Sequence, residues 1–450
     1  MSLYSPQALV AVLCWIPIVF YIFMRFPPQR AIIISFISAW LFLPILRYHL
    51  PGIPALTKMS ATCYSILFAT IIYDATRITS FKGSWLDLPM LIWCICPFVS
   101  SIANGLGPYD GFTAVVEQTM AWGVPYFLGR IYLNSLSGLR QLAVGIFMGG
   151  LIYIPFCLIE IRISPQLHHI VYGYHAREDF GQTIRSGGYR PTVFMEHGLM
   201  VGAWIMAASL IGVWLWRSKS IKQLWNFHIR WLVVALLVTM VLVKSMGALI
   251  LLGVGIVILL IAVQLRNAFP LLLLILSILV HLFLAVNGNF IGDQMAISLS
   301  QGVPEERIAS LKFRLDNEVI LSAKAREKMI FGWGGWGRSR VYDEWGKDIS
   351  VTDSLWIIVF GGNGLVGLVS LTATLLLPII IFSQRYPARS WLDPKLAPAA
   401  AIAVLLTLYT IDCLLNAMPN PVYTLASGGI VGVSIKEPVV RSKKVFLSKF

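Results

Sequence analysis

Two neighbouring stretches decide the fold: Ile250–Leu265, ILLGVGIVILLIAVQL, and, after Arg266-Asn267-Ala268, Phe269–Val286, FPLLLLILSILVHLFLAV. Neither contains Asp, Glu, Lys or Arg, and each reaches or approaches the roughly 20 apolar residues that cross about 30 Å of hydrocarbon. Outward from this pair, similar runs follow one another along all 450 residues, of which 57% are hydrophobic and only 12% charged. Mean hydropathy is +0.76. Soluble domains carry about a quarter charged residues, so this composition excludes a soluble enzyme. It predicts an all-α, polytopic transmembrane helix bundle forming a single integral membrane domain over 1–450.

Apolar runs between charged or Pro/Gly punctuation place spans near 8–24, 31–46, 59–74, 88–104, 112–128, 139–160, 194–216, 230–246, 248–265, 268–286, 354–382, 396–417 and 421–435, about 12–13 in all. Met1–Gln7 lacks a positive n-region, and no small-residue cleavage site follows a short apolar core, so the first run is expected to remain in the mature protein. The net charge of +14 lies between the runs, which favours topology signals and anionic lipid over nucleic acid. Arg217, Lys219, Lys222 and Arg230 mark one cytoplasmic loop, and Arg385, Arg389 and Lys395 another. The tail from Lys436 agrees, and parity adds Arg25/Arg30, Arg77/Lys82 and Arg130/Arg140 to the same side. Cys14, Cys63, Cys94, Cys96, Cys157 and Cys413 all lie in apolar runs and read as small core hydrophobes.

The same parity puts two polar segments on the extracytoplasmic face, residues 162–193 and 287–353, the second long enough for a small loop subdomain. Both keep arginines against the positive-inside bias, which suits either solvated loops or an anion to be bound. In the first, Arg185 and Arg190 flank the Gly187-Gly188 turn. A guanidinium pairs bidentately with phosphate and stays charged at any working pH, so the two fit a pyrophosphate. Glu196 and His197 are expected in the first turns of the next span, as a structural pair or a functional one. His168, His169 and His175 lack a compact carboxylate or cysteine set, so no metal is expected.

The second segment opens on an interfacial amphipathic helix, in which Ile308, Leu311, Leu315, Val319 and Met329 recur near helical spacing and Arg307 and Arg314 share one side. Phe331-Gly-Trp-Gly-Gly-Trp-Gly-Arg-Ser-Arg340 follows. Its glycines free the backbone, and Trp333 and Trp336 are candidates to stack on a sugar or sit at headgroup level beside Arg338 and Arg340. No Lys-Ser/Thr follows the glycines, so this is not a P-loop. Asp353 stands where the loop enters an apolar helix, either as an N-cap alongside Thr352 or as a carboxylate facing an outer cavity.

In this order, an arginine loop entering a span, then a late loop with an arginine-bearing helix, Gly332-Trp333-Gly334, a short polar motif and Gly362–Gly367, the chain resembles the O-antigen ligase and lipid-linked glycan polymerase superfamily. The resemblance runs most clearly from Arg185 to Gly367. It departs at one point: family members carry His-Asn ahead of the helix glycines, and here stands Asp353-Ser354. The resemblance implies an inner-membrane glycosyltransferase with its active loops outside. It would move a glycan from an undecaprenyl-pyrophosphate donor to a glycan or lipid A core hydroxyl, with neither metal nor cofactor. It further implies that Arg190 and Arg314, with Arg185, hold the leaving pyrophosphate, that Asp353 acts on the acceptor side, and that polysaccharide assembly machinery is a partner.

Two other classes compete. A lipid-linked-glycan flippase would place its cations along a central cavity within several spans, whereas these cluster in two loops. It would also show paired broken helices in its two halves, and the Gly/Pro interruptions do not pair in that way. A non-catalytic scaffold of a polysaccharide export complex would tolerate loss of any single loop arginine.

Overall fold

The computed structural model describes residues 5–50, 53–176, 180–185, 187–289 and 305–435, without the side chains at 49, 50, 53, 54, 180 and 305–311. The chain is mostly helical, 73% helix and 4% strand. In order come α1 (Pro6–Arg25), α2 (Pro28–Phe42), the hairpin β1 (Arg47–Leu50) and β2 (Ile53–Thr57), α3 (Lys58–Thr79), α4 (Leu88–Ala103), α5 (Pro108–Gln118), α6 (Val124–Tyr132), α7 (Leu136–Ile163) and α8 (Leu167–Tyr172). Then follow β3 (Ile184–Arg185), β4 (Gly188–Tyr189), α9 (Gly198–Arg217), β5 (Gln223–Leu224), β6 (Phe227–His228), α10 (Ile229–Leu242), α11 (Met246–Gln264), α12 (Phe269–Val286), α13 (Glu305–Arg326), α14 (Leu355–Arg385), α15 (Ala397–Leu415) and α16 (Pro421–Ile435). The strands form three separate two-stranded antiparallel hairpins.

Eight helices among the described residues are long and apolar enough to cross a membrane: α1, α4 with the 3-10 turn before it, α7, α9, α11, α12, α14 and α15. Shorter apolar helices are α2, α10 and α16. The expected run 112–128 is divided instead into α5, a π-helical turn over Thr119–Gly123 and α6. The run expected from 194 starts at Gly198, because Pro191 and the left-handed Val193 keep the preceding backbone irregular. The basic tail from Lys436 lies outside the described residues.

α9 and α15 are the most enclosed of the long helices, whereas α1, α11 and α12 bury only a third of their apolar windows. Those outward faces carry Val10, Ile18, Val257, Leu276 and Phe283, which suit hydrocarbon rather than water. Cys14 lies on such a face, so the expected core role holds only for the other five cysteines.

Among apolar helices with no hydrophobic force to pull them together, close backbone packing does so. α16 lies against α6 on this principle: a Cβ on Gly428 would come within 2.0 Å of the Tyr126 carbonyl oxygen, and one on Gly129 equally close to that of Leu425.

The connections sort into two ends. At the first, Gln29 donates to the Tyr132 carbonyl, Arg140 to that of Ser220, Arg385 to that of Ser434, and the Trp214 indole to that of Trp391. There too Arg130 makes a buried bidentate pair with Asp87, at 2.7 and 3.0 Å. At the opposite end lie the described parts of the connections joining α2 to α3, α7 to α9, α10 to α11, α12 to α14 and α15 to α16. Among the described residues, the basic residues assigned to one side by parity thus gather at one end, and the described parts of the two polar segments at the other.

Candidate functional site

At the polar end, the first segment is held by Glu160, a fully buried carboxylate near the end of α7. Its Oε2 accepts from the backbone N–H of Thr192 (2.8 Å) and Val193 (2.7 Å), and its Oε1 from that of Leu167 (3.0 Å), so one side chain ties down both ends of the loop. The β3–β4 hairpin turns at Gly187, whose φ of +69° favours glycine. Lys244, from the α10–α11 turn, donates to the Arg185 carbonyl at 3.1 Å. Arg190 is buried, its backbone N–H on the Thr183 carbonyl at 2.7 Å and its stem against Gly198.

Glu196 and His197 precede the helix rather than lying within it. His197 is the N-cap of α9: its Nδ1 accepts from Leu199 N–H at 3.0 Å while its Nε2 faces Gln182 Oε1 at 3.1 Å. Glu196 is exposed. His168 links the Tyr174 carbonyl (2.8 Å) to the Ile45 N–H (3.5 Å), and burial pushes its pKa below the ordinary histidine value. The rings of His169 and His175 stack at 4.5 Å. Residues 177–179 and 186 lie outside the described residues.

The second segment builds a denser cluster. α13 lays Arg314 against the mouth of α14 and the end of α15, with Nε 3.5 Å from Asp353 Oδ2 and Nη1 3.4 Å from Asn416 Oδ1. Asn416 in turn donates to Asp412 Oδ1 at 2.8 Å and accepts from Leu355 N–H at 3.2 Å. One helical turn along, Asn317 accepts from Val351 N–H at 2.7 Å. Glu318 Oε1 accepts from Ser354 Oγ (2.7 Å) and the Trp356 indole (3.2 Å).

Glu318 is 4% exposed, and burial raises its pKa above the usual carboxylate value; the charge of Asp353 adds to this, while the two donors and Arg314 oppose it. Arg314 and Asp353 remain open, their side chains 28% and 41% exposed. Of the two readings of Asp353, the cap is not realised. Ser354 occupies the N-cap position and makes no side-chain cap bond, while Asp353 turns to Arg314. Arg307 falls on α13, with its side chain outside the described residues.

The glycine-tryptophan stretch packs against α14. α14 does not end at its glycines but runs on to Arg385, broken at Gly364, where φ is +65°. The loop laces into that break: Trp333 and Gly334 N–H donate to the Gly361 and Gly362 carbonyls (2.8 and 3.0 Å), and Leu365 and Val366 N–H donate to those of Met329 and Ile330 (2.8 and 3.2 Å). An interrupted helix buried among apolar helices must satisfy its freed backbone groups within the protein, and this lacing does so. Ser100 of α4 and Asn104 just after it add bonds to the Gly362 and Gly332 carbonyls.

Trp333 is occupied structurally, its indole donating to the Lys324 carbonyl and its face covered by Lys324 Nζ at 3.9 Å. Trp336, 80% exposed with Arg340 over its ring, keeps a free edge. Trp345, 90% exposed, stands on the neighbouring turn. Arg340 pairs with Asp348 at 2.6 Å, and Arg338 is exposed. Slight burial works against Asp348 ionising, but bonds from Arg340 and Ser350 outweigh it and hold its carboxyl below the ordinary value.

Nearby, the Tyr423 hydroxyl of α16 donates to the Ala203 carbonyl in the early turns of α9 at 3.4 Å. Four polar residues of this end escape sequence reading: Glu160, Glu318, Asp412 and Asn416. The signal available for Asp412 and Asn416 was an ionisable residue in an otherwise apolar run followed one turn later by an amide. Among the described residues, no group of three or more His, Cys, Asp or Glu is placed to hold a metal ion. Neither a protein-family model nor a curated protein matches the chain.

Proposed function

We propose that this chain is a polytopic inner-membrane glycosyltransferase of the O-antigen ligase and polymerase kind. It transfers a glycan from an undecaprenyl-pyrophosphate donor to a sugar hydroxyl, with about 12–13 spans and both arginine loops on the extracytoplasmic face. The observation that carries this reading is the approach of Arg314 and Asp353, from separate elements, to 3.5 Å at a solvent-open edge of the helix bundle. In the transfer, the acceptor oxygen attacks the anomeric carbon, the bond to the pyrophosphate oxygen breaks, and the hydroxyl proton passes to the Asp353 carboxylate. Arg314 faces the negative charge that develops on the leaving group and stabilises it electrostatically. Arg190 and Arg185, in the other polar segment, supply further positive charge at the same end of the molecule. A flippase would want such cations along a central cavity instead.

The test is a deletion strain complemented with wild type, Arg190→Ala, Arg314→Ala or Asp353→Ala, with surface and lipid-linked glycan resolved by size. Loss of a positioned proton acceptor is expected to cost Asp353→Ala about 10²–10⁴-fold in transfer rate. Short lipid-linked units then accumulate if the protein polymerises, and long ones if it ligates. Wild-type surface glycan from all three variants at equal expression would sink the catalytic reading and leave the scaffold.

A further inference from the structure

At the opposite end of the molecule, α9 closes and α10 opens around a concavity of about 760 Å³, a volume within the usual range for a small-molecule site. Arg217, Lys219, Lys222 and Arg230 line it together with Trp216 and Ile221. All four cations are exposed, and among the described residues none pairs with a carboxylate. The lining holds no acidic side chain. A concavity with one sign of charge and walls of low polarity concentrates field, and so selects an anion.

The surroundings specify what kind. The β5–β6 hairpin turns through Trp225 and Asn226, both with positive φ, and leaves Trp225 and Phe227 exposed beside the opening. Below it, Trp231, Val234, Val238 and Val241 recur at helical spacing on α10 and are all exposed, forming an apolar track that starts at the cations. Amphipathic aromatics at the head of an apolar track mark the membrane-water interface. A free phosphate would use the cations and leave the track empty, whereas a phospholipid uses both.

We propose that this concavity binds the phosphate headgroup of an anionic phospholipid, with its acyl chains along α10. The inference rests on the membrane reading of the apolar helices and is independent of glycan transfer. Arg230 lies over the Trp231 ring at 5.1 Å, which would fix its guanidinium at the mouth. Positive charges near an anionic surface each change binding by about fivefold, so removing two is expected to weaken it about 25-fold.

The experiment is native mass spectrometry of the full chain in detergent, titrated with phosphatidylglycerol, with phosphatidylcholine and with inorganic phosphate. Expected are preferential retention of phosphatidylglycerol, its loss in Lys222→Gln/Arg230→Gln, and its persistence in Lys222→Arg/Arg230→Lys and in Arg266→Gln, an exposed cation outside the concavity. Equal retention of phosphatidylcholine overturns the proposal, as does unchanged binding by the Gln pair. So does displacement by millimolar inorganic phosphate, or loss in either control variant. The charge-conserving pair keeps the test decisive if the Gln pair elutes as aggregate.

Discussion

Glu318, buried, and Asp348, held by Arg340, are pushed in opposite directions. Glu318 binds its proton more tightly in the folded chain than in the unfolded one. Its raised pKa therefore favours folding at low pH, and that advantage is lost as pH climbs from the ordinary carboxylate value through the raised one. Glu318→Gln keeps an acceptor for Ser354 and Trp356 and removes the titration. Thermal unfolding of the variant is expected to gain on wild type as pH rises from about 4 to 7; a constant gap would refute this. Glu160→Ala would orphan three backbone N–H groups, each costing about 1–3 kcal/mol. Limited proteolysis should then cut within 162–193, where wild type resists. Neither glutamate was legible in the sequence, since a carboxylate on an amphipathic helix or at the end of an apolar run reads as solvated until the facing backbone is known. Asp353 stands out where polar sequence gives way to an apolar run and Arg314 as one of two arginines on one side of a helix, but their approach to 3.5 Å depends on how α13 packs.

At the scale of the element, long apolar helices were easy to read and their interruptions were not. The run 354–382 reads as one continuous span, and only the docked loop shows that it is interrupted at Gly364. Alanine at Gly364 would have to hold a left-handed φ and place its Cβ 2.3 Å from the Ile330 carbonyl oxygen. Strain of that type costs about 1–3 kcal/mol before any clash. Gly364→Ala is expected to lower the detergent-solubilised unfolding temperature, whereas Gly362→Ala, with open space around its Cβ site, stays near wild type. The Asp87–Arg130 pair also depends on elements far apart in sequence. Asp87→Ala strands a buried guanidinium and is expected to cost about 3–5 kcal/mol, read from the same unfolding curves.

Over the whole molecule, charge counted in short loops anticipated which connections share an end, because topology follows those few residues closely. It could not anticipate which helices lie at the centre, since α11 is as apolar as any and yet peripheral; burial depends on small residues such as Gly129 and Gly428 that let backbones meet. Reporter fusions after Lys347 and after Arg389 are expected to report opposite sides, and a matching signal from both would overturn the two-ended arrangement. The laced loop also sets an order of assembly. Residues 329–334 leave the ribosome before α14 does, so the strand that completes the broken helix is already made when that helix arrives. A circular permutant that moved the loop behind α14 would leave the gap open during synthesis, with polar backbone facing lipid and no partner yet translated.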